Sequence, residues 1–311
     1  MSFLYFLESL RQGFLDTLFL FITALGEETA FLAISIFIFW CVSKKEGYYV
    51  LSVGFIGTTI NQFLKLVFRI PRPWVLDSNF KPVGNAIEEA TGYSFPSGHT
   101  QNSVGTFGSI ARFTKKRWLR IVAIALCVLI PFSRMYLGVH TPKDVLVSVG
   151  IALLLIFLVR PIIDKGDENK KIMYCFLGFM LILSVAYVLF VTLFPFPDNI
   201  DTHNYESGLK NGFTLLGAIL GMAISYPIET TFINFDVKGK WYTQLLKTVI
   251  GLGLVLLLKE GLKYPLEALF PALTVARAIR YCILVIFAVI IYPLTFRYFK
   301  MLENKLEKTN K

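Results

Sequence analysis

Three short polar clusters stand between positions 65 and 144 where apolar segments end: Lys65 with Arg72, Ser97-Gly98-His99, and Arg134 with His140 and Asp144. Lys65, Arg72 and Arg134 together suit an anion with several oxygens, because a guanidinium can hold phosphate through two parallel hydrogen bonds. Pro96-Ser97-Gly98 leads straight into an apolar segment, so free N–H groups at a helix start would make an anion seat there. The glycine would permit close approach and the Ser97 hydroxyl would add a donor. A plain helix cap is the other reading of the same Ser-Gly pair. His140 and Asp144 stand four apart, on one helical face if a helix begins near His140. A carboxylate in that place would keep one ring nitrogen protonated and leave the other free as a nucleophile. A lone histidine at a membrane edge is more often structural; two of them beside phosphate-type cations favour catalysis. No zinc-type spacing accompanies the histidines, so neither a metal nor another cofactor is implied.

These residues sit where apolar segments end, and the segments set the fold class. The chain has 311 residues, of which 55% are hydrophobic and only 17% charged. Repeated apolar runs of about twenty residues mark a polytopic membrane protein, and backbone groups in lipid must bond internally, so the spans should be helical. An all-α membrane bundle is expected, not a barrel. Residues 3–25 have near-helical apolar spacing, but Glu8, Arg11, Gln12 and Asp16 shorten the apolar part. An interfacial amphipathic helix is the preferred reading and a true first span the alternative. Spans follow near 29–44, 47–68, 97–114, 118–138 and 141–162, then 171–195, 209–227, 241–262 and 274–296, about nine in all. Thr100, Gln101, Asn102 and Ser103 would be costly facing lipid, which predicts a central place for the 97–114 helix. Asp164–Lys171 is the clearest linker. The expected divisions are therefore an N-terminal interfacial helix (1–28), a catalytic core (29–163), and further membrane helices with a basic tail (164–311). Gly217 and Gly221 have the spacing of a close helix contact, a pattern also common by chance. There is no internal repeat.

The formal net charge is +10. The cations gather in short loops (44–45, 115–120, 165–171, 238–240) and in the tail from Arg297, the pattern of cytoplasmic loops rather than of a nucleic-acid surface. No nucleic-acid partner is expected. With about nine spans the N-terminus would be outside and the C-terminus inside, placing Lys65, Arg72, the 69–96 loop, His99, Arg134 and His140 together at the extracytoplasmic face. Cys41, Cys127, Cys175 and Cys282 all lie in apolar segments, where packing is the expected role. The first residues lack the basic start and small-residue cleavage site of a secretory signal.

The spacing Lys65-x6-Arg72-Pro73, then Pro96-Ser97-Gly98-His99, then Ser133-Arg134-x5-His140-x3-Asp144 resembles the complete three-part signature of the type 2 phosphatidic acid phosphatase superfamily. The motifs cover only about residues 65–144. The resemblance implies that His140 attacks phosphorus to form a phosphohistidine, with Asp144 orienting its ring. His99 would protonate the leaving oxygen and then activate water. Lys65, Arg72, Ser97, Gly98 and Arg134 would hold the phosphoryl oxygens, without a metal. The four spans after Ile163 depart from minimal six-helix members, and the overall layout is similar to that of glucose-6-phosphatase and sphingosine-phosphate phosphatase relatives. Those extra helices could shape a lipid-entry groove or a homodimer contact, and Arg277 and Arg280 could extend a head-group site or pair with Glu260 or Glu267.

The expected function is an integral-membrane phosphatase acting on a lipid phosphate or diphosphate in the bilayer, with undecaprenyl diphosphate the leading substrate and a bacterial inner membrane the setting. Phosphatidate and phosphatidylglycerophosphate come next. A phosphatase for a soluble sugar phosphate is the second reading. A non-enzymatic lipid-phosphate carrier or flippase would use the cations but leaves His99, His140 and Asp144 unexplained. Vanadate-dependent haloperoxidases share the signature but are soluble, and the apolar spans make that reading remote.

Overall fold

The computed structural model describes every residue except Glu89, Pro271, Asn310 and Lys311, so the last two positions of the expected tail lie outside the described residues. Described residues form helices and loops, with no strand among them. The order is α1 (Ser2–Ser9), α2 (Gly13–Ala24), α3 (Glu28–Cys41), α4 (Lys44–Phe68), then short α5 (Pro73–Leu76) and α6 (Asn85–Glu88) in the long loop. Next come α7 (Gly98–Phe113), α8 (Arg117–Tyr136), α9 (Pro142–Glu168), α10 (Lys170–Leu193) and α11 (Thr202–Ile228). The last part holds α12 (Trp241–Gly261), α13 (Lys263–Leu269), α14 (Leu273–Ile286) and α15 (Phe296–Thr309).

Among the described residues, six helical stretches are long and apolar enough to cross a membrane: 44–76, 117–136, 142–168, 170–193, 202–233 and 273–306. The pair α2 and α3, bent by 49°, would add a seventh if it is one broken span. Helices also occupy the expected 97–114 and 241–262 stretches, but α7 has 16 residues and neither it nor α12 is among the six. The N-terminal stretch expected as one helix is two. Gln12 takes an extended conformation (φ −145°, ψ 146°) and starts α2 anew before Gly13, a residue with low helix propensity.

The chain divides into two compact units. The first comprises 1–32, 49–164 and 189–209, and the second 33–48, 165–188 and 210–311. In the first, α7 packs along α8, and α1 and α2 also pack on α8. Buried α7 residues include Thr100, Gln101, Ser103 and Thr106, as expected for a helix too polar for lipid. On α8 and α9 the exposed side chains are instead Ile121, Val128, Leu146, Leu154 and Phe157. An outward apolar surface of that kind suits acyl chains rather than water.

Helix ends, rather than helix bodies, carry the polar clusters, and local chemistry sets each end. α8 stops in a Schellman arrangement: the N–H of Gly138 returns to the Met135 carbonyl at 3.0 Å and that of Val139 to the Arg134 carbonyl at 3.1 Å. Gly138 has φ +80°, a conformation costly for a side chain, and a Cβ there would also meet Arg11 and Phe80 within 3 Å. α9 then opens with a capping box. Asp144 Oδ2 accepts the Thr141 N–H at 2.8 Å and Thr141 Oγ1 accepts the Asp144 N–H at 3.5 Å, with Pro142 at the first helical position.

In the second unit, α11 and α14 meet along the small residues expected to do so. A Cβ on Gly217 would overlap the Ala278 carbonyl, and one on Gly221 would reach the Cys282 carbonyl at 2.7 Å. Trp40 donates its indole N–H to the Ala288 carbonyl at 2.8 Å, and buried Glu229 pairs with Lys44 at 2.9 Å. Arg277 and Arg280 lie on α14 in this unit. Among the described residues neither pairs with Glu260 or Glu267, and Arg280 is buried with its guanidinium 5.7 Å from the Tyr281 ring. Cys41, Cys127, Cys175 and Cys282 are free thiols.

Candidate active site

All three polar clusters belong to the first unit and converge there. Lys65 leaves the last turn of α4 and Arg134 the last turn of α8, where cations complement the helix dipole. Arg72 follows α4 and caps the start of α5, Ser97 caps α7, and Asp144 sits in the first turn of α9. Lys65, Arg72, Arg134, His140 and Asp144 are all nearly fully buried. Of the described carboxylates, Asp144 is the one that acts electrostatically on Lys65 and Arg72. Three buried cations therefore gather around one carboxylate, a set of donors suited to a multiply charged oxyanion.

Arg72 knits the clusters together. Its Nη1 donates to the Val139 carbonyl at 3.0 Å and lies 2.9 Å from His140 Nε2, while Nε and Nη2 donate to the Gly92 and Thr91 carbonyls at 3.1 and 2.8 Å. Lys65 Nζ donates to the Tyr93 carbonyl. A guanidinium can only donate, so His140 Nε2 must be the accepting, unprotonated nitrogen. The neutral ring therefore carries its proton on Nδ1, which lies 3.5 Å from Asp144 Oδ2. Burial, reinforced by the charges of Arg72, Arg134 and Lys65, holds the His140 pKa well below the usual imidazole value. The outcome is a neutral ring with its Nε2 lone pair turned toward the cations.

Asp144 is itself restrained. Its Oδ2 accepts from Ser94 Oγ at 2.6 Å and from the Thr141 N–H at 2.8 Å, and its carbonyl accepts the Ser97 N–H at 3.2 Å. The Ser97 side chain accepts the Thr100 N–H at 3.4 Å, so it is a helix cap, and its hydroxyl proton remains available as a donor. A Cβ on Gly98 would meet nothing within 4 Å, consistent with open space beside the α7 start. His99, one residue on, has Arg134, His140, Arg72 and Lys65 as electrostatic neighbours, and its buried Nε2 has no hydrogen-bond partner among the described residues.

Two supporting side chains have no signal in the motif spacing. Thr23 on α2 accepts from Arg134 Nη1 through Oγ1 at 2.8 Å, and both residues are buried. Ser94 orients Asp144 from a loop that sequence periodicity leaves blank. The N-terminal helices also grip the end of α8: Arg11 donates to the Tyr136 and Lys81 carbonyls, and Tyr136 donates to Asp16 at 2.8 Å.

Buried His140, a second histidine, His99, and three buried cations thus gather at the ends of apolar helices. Residues 46–167 match the PAP2 superfamily, and residues 213–305 match the PAP2 superfamily phosphatase transmembrane extension. The chain is 32% identical over 163 residues to the undecaprenyl-diphosphatase BcrC of Bacillus subtilis, covering 50% of this chain and 81% of that protein. It is 31% identical to the phosphatidylglycerophosphatase B of the same organism, covering 52% and 82% respectively. A bovine glucose-6-phosphatase catalytic subunit is 28% identical over 288 residues, covering 78% of this chain and 79% of that one. No solved structure matches. The protein belongs to the PAP2 superfamily and is a hydrolase of its lipid-phosphatase type.

Proposed function

We propose that the chain hydrolyses a lipid phosphate or diphosphate, with undecaprenyl diphosphate the leading substrate, through a phosphohistidine intermediate at the extracytoplasmic face of a bacterial inner membrane. The observation that carries this reading is the 2.9 Å approach of Arg72 Nη1 to His140 Nε2, which leaves the nucleophilic nitrogen among the cations that would bind the phosphoryl group. His140 Nε2 attacks phosphorus as the bond to the leaving oxygen breaks, and His99, protonated once the bound phosphate's negative charge offsets the neighbouring cations, gives that oxygen its proton. His99 then takes a proton from water as the water oxygen attacks phosphorus, the P–N bond breaks, and inorganic phosphate leaves. Lys65, Arg72 and Arg134, with the Ser97 hydroxyl and the N–H groups at Gly98, hold the oxygens on which charge develops. Asp144 keeps the His140 proton on Nδ1 and stabilises the ring as it becomes cationic.

The substrate preference is supported by two undecaprenyl-diphosphatase relatives, from Bacillus subtilis and Sulfolobus acidocaldarius, each aligned over 50% of this chain. The topology in this reading has an interfacial N-terminal segment (1–28), a catalytic core (29–163) and a further helical region (164–311), with about nine spans and basic loops inside. The bovine glucose-6-phosphatase alignment extends over 78% of the chain, which favours a soluble sugar phosphate as the second reading. Purified protein assayed on undecaprenyl diphosphate, phosphatidate, phosphatidylglycerophosphate and glucose 6-phosphate separates the two. Preference for the lipid diphosphate is expected, and release of phosphate from the sugar ester alone would overturn the lipid assignment. His140→Ala should abolish turnover, and wild type denatured at alkaline pH during turnover of substrate labelled in its terminal phosphate should carry the radiolabel on His140. A carrier or flippase would transport without either result.

A further inference from the structure

The second unit contains an open cavity of about 420 Å³ between the 233–244 segment, α12 and the start of α15. Its wall holds four cations, Lys238, Lys247, Arg297 and Lys300, against two carboxylates, Asp236 and Glu303. Both carboxylates are already engaged. Asp236 pairs with Lys300 at 3.2 Å, and Glu303 accepts the Lys240 backbone N–H at 3.0 Å.

Lys247 is the informative residue. It is 4% exposed, and its Nζ donates to the Trp40 carbonyl at 2.8 Å and lies 4.4 Å from the Phe296 ring centroid. Asp236 and Glu303 act on it electrostatically, but among the described residues neither forms an ion pair with it. An ammonium has three donors, so a buried one with a single carbonyl partner keeps donors to offer an anionic ligand. Thr243 and Gln244 line the same cavity, and among the described residues Thr243 Oγ1 and Gln244 Oε1 are buried without a hydrogen-bond partner, a state that native interiors rarely tolerate. The Gln244 oxygen can only accept, so a ligand satisfying it must bring a donor such as a hydroxyl. Phe235, Leu294 and Phe299 supply apolar wall. The volume falls within the roughly 300–1,000 Å³ of small-molecule sites.

We propose that this cavity binds a polyol phosphate ester, as the head group of an anionic glycerophospholipid or as the free soluble compound, with Lys247 on the phosphate and Gln244 on a hydroxyl. The site is independent of the catalytic reading, whose residues all belong to the first unit.

The test is photolabelling of the full-length protein in detergent with a phosphatidylglycerol analogue carrying a diazirine near its head group, followed by peptide mapping. Label is expected in residues 233–247 and 293–303. Dihexanoyl-phosphatidylglycerol should compete and dihexanoyl-phosphatidylcholine should not, because the choline cation meets a cationic wall. Equal competition by glycerol 3-phosphate assigns the soluble compound as the source, and its failure to compete assigns the lipid. K247M removes the central cation; the exposed pair K238Q/R297Q serves if that variant does not fold, and should lower labelling about tenfold, the size expected for lost charge-assisted bonds. Absence of label from both segments, competition by the choline lipid as strong as by the glycerol lipid, or undiminished labelling of K238Q/R297Q would each overturn the proposal.

Discussion

His140 can serve as a nucleophile only while its ring is neutral, and its surroundings protect that state. Because burial and three cations depress its pKa, protonation and loss of the lone pair occur at a lower pH than for an ordinary histidine. The acid limb of kcat/KM that reports His140 should therefore lie below pH of about 6.5, the free imidazole value, and ring titration by NMR of labelled protein should give the same midpoint. Asp144→Asn should cost on the order of a thousandfold or more in kcat, since it can support the wrong tautomer. Ser94 acts one step further out, through Asp144 Oδ2. Ser94→Ala should lower kcat about tenfold, the worth of a hydrogen bond to a charged group, with KM little changed. A matching fall in thermal stability without a change in kcat would reduce Ser94 to a structural residue.

Helices position these groups by where they stop. The Schellman turn after α8 and the capping box of α9 hold His140 and Asp144 at fixed spacing, while α2 reaches the same site through Thr23 and Arg134. Thr23→Val removes the hydroxyl at nearly constant volume. It should weaken inhibition by vanadate or inorganic phosphate about tenfold, and Thr23→Ser should restore it. In the second unit the close approach of α11 to α14 gives a separate prediction. Gly217→Ala forces a methyl onto the Ala278 carbonyl and should cost about 1–3 kcal/mol of stability, read as a lower unfolding midpoint in detergent. Gly178→Ala, where a Cβ meets nothing within 4 Å, is the matched control and should leave the midpoint unchanged.

At the scale of the molecule, the decisive quantity is sidedness. In a cysteine-free background, a cysteine at Asn79, in the long loop beside the candidate site, should react with a membrane-impermeant maleimide in intact cells. One at Asn169, between α9 and α10, should react only after lysis. The reverse pattern would place the chemistry in the cytoplasm and remove the basis for an extracytoplasmic lipid substrate.

The apolar runs, the loop charges and the three spaced motifs were legible in the chain because each depends on local composition or on residues a fixed distance apart. From them came the helical membrane class, the phosphatase superfamily, and the eight residues that meet in the first unit. Ser94 and Thr23 were not legible. Ser94 lies 50 positions from Asp144 and Thr23 lies 111 from Arg134, and an isolated serine or threonine has no periodicity to mark it. The break at Gln12 had a local sign in Gly13, a poor helix former, which the near-helical apolar spacing across 3–25 masked. Which nitrogen of His140 is free was decided by the tertiary structure alone, because it follows from a guanidinium 68 residues away that can donate and never accept.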